Sequence, residues 1–191
     1  MADPATNAIY LPDSDEEPLL ALPQVSIRPA MPLSRLSFRG RAEAQQAAGT
    51  ALGFDLPQAP LSATVKDGKA ALWLGPDEWM ILAAEADLDG LQASLSEKIG
   101  EAPHALVDIS HRQGAVIVEG AKAEWLLNSG IPIDLHGDVF PVGMVTRTVF
   151  HKSPVMIWRT GTDSFVVEAW GSFLGYVTGL LCEAAEELEA A

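Results

Sequence analysis

From Leu33 to Phe38 apolar and polar side chains alternate with a period of two, the pattern of a strand with one buried face. Gly40 marks a turn. Residues 41–51 then place Ala44, Ala47, Ala48 and Ala51 on one helical face, which predicts a thin helix able to lie close to a sheet. Residues 53–60 read as a loop and 61–65 as a strand. The turn Lys66-Asp67-Gly68-Lys69 leads to a strand over 70–74, and Gly75-Pro76-Asp77 leads to another over 79–83. Leu88, Leu91, Leu95 and Ile99 recur at helical spacing and Gly100 stops that helix. A strand over 104–109 completes a first unit, residues 33–110, with the ferredoxin-like order βαββαβ and an extra edge piece.

The second unit, residues 111–191, opens with a strand at 115–119 broken by Gly120, then a short helix over 121–128. After a loop over 131–141, strands are expected near 142–150, 154–159 and 164–169. Ser172 is placed as the cap of a last helix whose apolar face is Phe173, Tyr176, Val177, Leu180, Leu181, Ala184 and Leu188. This order is βαβββα. The fold class is therefore α+β, two small mainly antiparallel sheet units with helices packed on one face. A doubly wound nucleotide fold is disfavoured, because turns rather than helical crossovers join most strands.

Residues 1–32 differ. Prolines fall at 4, 12, 18, 23, 29 and 32 with acids between them, so regular structure is not expected. Two readings stand, a disordered tail and an extended Pro-rich acidic arm lying on the domain or on a partner. Leu19, Leu20, Leu22, Val25 and Ile27 favour the arm, since disordered tracts are poorer in such residues.

Charge narrows the function classes. The formal net charge is −14, from 26 acidic and 12 basic residues. Much of the excess lies at the ends: residues 1–27 and 183–191 hold acids and no Lys or Arg. Without a clustered basic footprint, nucleic acid and anionic membrane surfaces are not expected partners. The N-terminus lacks the basic and apolar regions of a signal peptide, so cytoplasm is the expected compartment. One cysteine, Cys182, permits no intrachain disulfide and no cysteine cage for zinc or iron–sulfur, and reads as a small buried hydrophobe.

No constellation carries chemistry by itself. The histidines 104, 111, 136 and 151 form no metal-binding spacing. Asp134, His136 and Asp138 alternate in a loop and read as polar loop residues. Asp108, Ser110 and His111 are the residue types of a triad, yet in an extended segment His111 points away from the other two. No phosphate-binding glycine run exists, and Gly171-Ser172 reads as an ordinary helix start. Catalytic, cofactor-binding and metal residues are accordingly expected to be none. Aromatic and arginine side chains do anchor protein interfaces. The candidate interface residues are Trp73, Trp79, His111, Arg112, Arg147, Trp158 and Arg159, with Leu19 and Leu22 from the arm.

Five landmarks carry a resemblance. They are Trp73-Leu74-Gly75-Pro76-Asp77-Glu78-Trp79, Val107-Asp108-Ile109-Ser110-His111-Arg112, and Leu127-Asn128-Ser129-Gly130-Ile131-Pro132-Ile133-Asp134-Leu135. Phe140-Pro141-Val142-Gly143 with Thr146-Arg147-Thr148 comes next, and Trp158-Arg159 followed by Ser172-Phe173-Leu174-Gly175-Tyr176 comes last. In order and content, over about residues 33–185, the chain resembles the gamma subunit of heterotetrameric sarcosine oxidase. The resemblance implies a fold like the folate-binding domain of the glycine-cleavage aminomethyltransferase. It implies a non-catalytic accessory role beside alpha, beta and delta subunits, chiefly alpha. It also implies that FAD, FMN, NAD and tetrahydrofolate sit in those partners. The implied reaction of the complex converts sarcosine, tetrahydrofolate and oxygen to glycine, 5,10-methylenetetrahydrofolate and hydrogen peroxide. The alternative is a stand-alone folate-binding protein or one-carbon transferase. The iron–sulfur maturation proteins of this fold carry a Lys-Gly-Cys-Tyr-x-Gly-Gln-Glu type motif, and Cys182 has none of those neighbours.

Overall fold

The strands of residues 17–188, the part that the computed structural model describes, form two antiparallel sheets with helices packed on one face of each. Residues Pro32–Ser110 make one unit; residues 17–31 and 111–188 make the other. The expected arm over 1–32 is thus not a separate segment in its described part. Residues 1–16 lie outside the described residues.

In the Pro32–Ser110 unit the chain runs through β3 (Leu33–Gly40), α1 (Ala42–Leu52), β4 (Ala63–Lys66), β5 (Lys69–Gly75), β6 (Glu78–Ala84), α2 (Leu88–Ile99) and β7 (His104–Asp108). The sheet order is β4-β5-β6-β3-β7, so β4 is an added edge strand. Leu36, Phe38, Ala71, Trp79, Ile81 and Ala83 point to the helix face, as period-two alternation requires. Ala44, Ala48 and Leu52 of α1 and Leu91, Leu95 and Ile99 of α2 close over them. Alanine is needed under α1 because the approach is tight: a Cβ on Gly40 would stand 2.8 Å from the Ala44 Cβ. Gly53 ends α1 in the left-handed region and returns its N–H to the Gly49 carbonyl.

The other unit begins with β1 (Leu20–Ala21) and β2 (Ser26–Pro29). Then follow β8 (Gln113–Glu119), α3 (Ala123–Asn128), β9 (Val145–Phe150), β10 (Ser153–Gly161), β11 (Ser164–Trp170) and α4 (Gly171–Ala185), in the sheet order β1-β2-β8-β11-β10-β9. β2 pairs with β8, Ile27 opposite Val118, and Val25 and Ile27 enter the core. Two of the prolines that argue against regular structure sit where a strand tolerates them. Pro23 lies in the β1–β2 turn, and Pro29 lies at the end of β2, past the two-residue reach of β1. Val116, Val118, Val155, Ile157, Phe165 and Val167 form the sheet side of this core, and Leu126, Leu127, Val177 and Leu181 the helix side.

Two loops are fixed by backbone approach and by one cation. Gly120, at φ 122°, lies where a Cβ would stand 2.4 Å from the Gln24 carbonyl oxygen, so only glycine fits beneath the β1–β2 turn. The loop over 131–144 buries Ile131, Leu135 and Phe140. Arg159 gathers two of its carbonyls, donating from Nη1 to Leu135 (2.9 Å) and Phe140 (3.0 Å), and ties them to the β10–β11 turn by donating from Nη2 to the Thr162 carbonyl.

Ser172 does not cap α4, as the sequence suggested. The cap lies two residues earlier: Trp170 occupies that position in extended backbone, the helix starts at Gly171, and no side chain caps it.

Candidate functional site

The residues of chemical type are engaged in local structure. Ser110 Oγ donates to Asp108 Oδ1 at 2.5 Å and accepts the Arg35 N–H at 2.9 Å, while the Ser110 N–H also reaches Asp108 Oδ1. That is a turn of the Asx type, with the hydroxyl spent on joining β3 to the end of β7. His111 is exposed in the short 3-10 turn that follows. Asp134 accepts the His136 N–H at 2.9 Å, and His136 Nδ1 stands 3.6 Å from Asp138. Among the described residues no group of three or more His, Cys, Asp and Glu side chains could hold a metal ion. Burial raises the Cys182 thiol pKa, with a further rise from the Glu186 carboxylate, so the nucleophilic thiolate is disfavoured.

A cleft of about 470 Å³ lies beside Arg39, Arg41, Glu43, Asp77 and His104. In it Arg39 pairs with Glu78 at 3.1 Å and lies 4.0 Å from Asp77, and His104 Nδ1 is 2.8 Å from the Ala102 carbonyl oxygen. Among the described residues no helix is long and apolar enough to cross a membrane.

The interface candidates divide by burial. Trp79 is 0% exposed, donates from Nε1 to the Pro57 carbonyl at 2.8 Å and stacks at a tilt on Phe38. Trp158 and Arg159 are 1% and 4% exposed. These three are interior in this chain, not surface anchors. Trp73 is half-buried opposite Trp79, and Leu22 is partly buried against the core. His111, Arg112, Arg147 and Leu19 are exposed. Arg147 lies on the edge strand β9.

The structure adds a cluster that the sequence reading did not select. Trp170, Phe173 and Tyr176 are 49%, 38% and 43% exposed, so two residues of the apolar face that the spacing predicts for α4, Phe173 and Tyr176, are not covered by this chain. The Trp170 and Phe173 rings are 6.4 Å apart, and the Arg112 guanidinium lies 5.7 Å from the Trp170 ring centre. Tyr176 follows Phe173 by one helical turn. The sequence signal was present but weak: no charge occurs between Gly171 and Cys182, so a helical wheel alone does not separate the inner from the outer side. Three aromatic rings and one arginine on an open surface are the side chains that dominate protein–protein contacts.

Comparison with known proteins gives consistent matches. The family described as "Sarcosine oxidase, gamma subunit family" matches residues 40–187. The sarcosine oxidase subunit gamma of Corynebacterium sp. (strain U-96) is 35% identical over 147 residues, 76% of this chain and 69% of that protein. The subunit gamma from an Arthrobacter species is 36% identical over 122 residues, 63% of this chain and 59% of its own length. A chain of the heterotetrameric sarcosine oxidase from Corynebacterium sp. U-96, solved in complex with pyrrole 2-carboxylate, superposes with a TM-score of 0.84. It is 29% identical, over 98% of this chain and 92% of that one. The glycine cleavage system aminomethyltransferase T from Bartonella henselae shares the fold at a TM-score of 0.62 and 12% identity, over 83% of this chain and 45% of that one.

Proposed function

This chain belongs to the sarcosine oxidase gamma subunit family, and from that premise we propose that it is the non-catalytic accessory subunit of a four-chain sarcosine oxidase acting in the cytoplasm. Its partners are alpha, beta and delta subunits, with alpha carrying the main contact. The complex converts sarcosine, tetrahydrofolate and oxygen to glycine, 5,10-methylenetetrahydrofolate and hydrogen peroxide. FAD, FMN, NAD and the folate are held by the partners.

The observation that carries this reading is the reach of the likeness. It extends over almost the whole chain and over most of a chain from a heterotetrameric sarcosine oxidase. The surface agrees with it: a helix whose outer side carries aromatic rings and no charge over its first three turns is made to be covered.

The test is affinity purification of the tagged full chain from its own cells. The expected product is a yellow, flavin-containing assembly of four chain types that consumes oxygen when given sarcosine. Recovery of the chain without any flavoprotein would contradict the proposal. Titration of the isolated chain with tetrahydrofolate is expected to give no saturable binding; stoichiometric binding would favour a free-standing folate protein instead.

A further inference from the structure

Helix α4 contains two interior glycines that its own chain does not use. A Cβ built on Gly175 or on Gly179 meets no atom within 4 Å, so neither glycine makes room for a neighbour in this fold. Each weakens the helix relative to alanine, because glycine gives up more backbone freedom on folding. They are four residues apart, so they stack on one line of the helix surface and leave a shallow groove. That line lies opposite Val177 and Leu181, which are buried. Tyr176, three residues before Gly179, borders the groove, and Phe173 lies farther round the exposed side, beside Trp170 at its head.

The charges around this face are polarised. Arg112, over the Trp170 ring, is the cation at the head. The stretch from Gly171 to Cys182 is uncharged, and the exposed Glu183, Glu186 and Glu187 stand at the tail. From Gly171 to Glu183 the helix advances about 18 Å. An uncharged strip of that length between a cation and a carboxylate cluster is the complement of a helix of about three turns with charges of opposite sign at its ends. A rod-shaped occupant follows from the groove, since a ridge of side chains on one helix fits a row left open four residues apart on another.

We propose that this outer face of α4 is the seat of an α-helix from another subunit of the oxidase. That helix is apolar along its contact, offers a carboxylate to Arg112 and a basic side chain to Glu183 and Glu186, and closes on the backbone at Gly175 and Gly179. The inference rests on the accessory-subunit reading above and deepens it by naming the docking element and the chemistry of its occupant.

The test uses the tagged full chain, alone and in the flavin-containing assembly that it brings down. The double variant Gly175→Ala/Gly179→Ala is expected to raise the melting temperature of the isolated chain, by about 2–4 °C per glycine. The same variant should lower its affinity for the assembly at least about tenfold. Gly90→Ala is the control: it removes an exposed glycine of α2 with equal space around it, and should leave affinity unchanged. Phe173→Ala/Tyr176→Ala should also weaken assembly at least about tenfold, and Glu183→Lys/Glu186→Lys should do so more strongly at low salt than at high salt. If the wild-type chain brings down flavoprotein and all these variants do so with unchanged affinity, this inference alone fails. A loss of affinity matched by a lower melting temperature would assign the glycines to the fold and overturn it. So would a homodimer of the wild-type chain that the same variants disrupt, because a second copy would then be the occupant. If the wild-type chain brings down no flavoprotein, the accessory-subunit reading itself falls.

Discussion

Arg159 is the side chain on which most of the second unit's irregular structure depends. It is almost fully buried, yet its guanidinium is satisfied by carbonyls of Leu135, Phe140, Gly161 and Thr162, and it lies 4.8 Å from the Phe165 ring centre and 3.6 Å from Glu124. Its planar fork lets one side chain serve several acceptors, which an ammonium does not reproduce. Arg159→Ala is expected to destabilise the chain by about 3 kcal/mol, because buried carbonyls lose their donors, and thus to lower the melting temperature by roughly 6–12 °C. Arg159→Lys should recover less than half of that loss; a melting temperature within a degree or two of wild type for either variant would contradict this role. The position was legible. Val155, Ile157 and Arg159 share one strand face by alternation, so period two sends Arg159 inward. Residue type alone suggests an interface anchor, and strand register places it in the interior. Cys182 makes a second test at this scale. Its raised pKa keeps the thiol protonated, so any stability it lends is present below the unfolded thiol's pKa and fades as the pH rises through the folded one. At pH 8 it should react with iodoacetamide more slowly than in the urea-unfolded chain; equal rates would show that it is neither buried nor shifted.

Among the elements, β2 shows why the proline-rich segment misled the pattern reading. Six prolines in 32 residues suggest no regular structure, but the short β1–β2 hairpin needs only Val25 and Ile27 inward, with Pro23 in the turn and Pro29 at the end of β2, opposite Val116. Ile27 is fully buried. Ile27→Ala should therefore cost about 2–5 kcal/mol, and Gly120→Ala at least about 2 kcal/mol from strain and overlap with the Gln24 carbonyl. Denaturant melts of the isolated chain check both, and wild-type stability in either would detach the hairpin from the core. Strand β3 is legible from its alternation, and β6, β8 and β11 from short apolar runs bounded by turn residues. Helix α4 was legible as a helix but not in its orientation. Rings at Phe173 and Tyr176 look the same to a helical wheel whether they face the core or a partner, and only the packed sheet reveals which side is covered.

For the whole molecule, each unit solves the same problem in the same way: an antiparallel sheet buries one face under helices. The fold class could be read from strand and turn order, because local periodicity decides it. Which exposed groups matter could not, because that depends on side chains brought together across β8, β11 and α4, from Arg112 to Trp170 to Phe173. The account's central claim is that this chain works by contact and that the chemistry belongs to its partners. Sarcosine-dependent oxygen uptake, measured at equal chain concentration for the isolated protein and for the assembly purified through its tag, tests that claim most directly. Uptake by the assembly and none by the lone chain is the predicted result; turnover by the lone chain at a rate comparable to the assembly would contradict it.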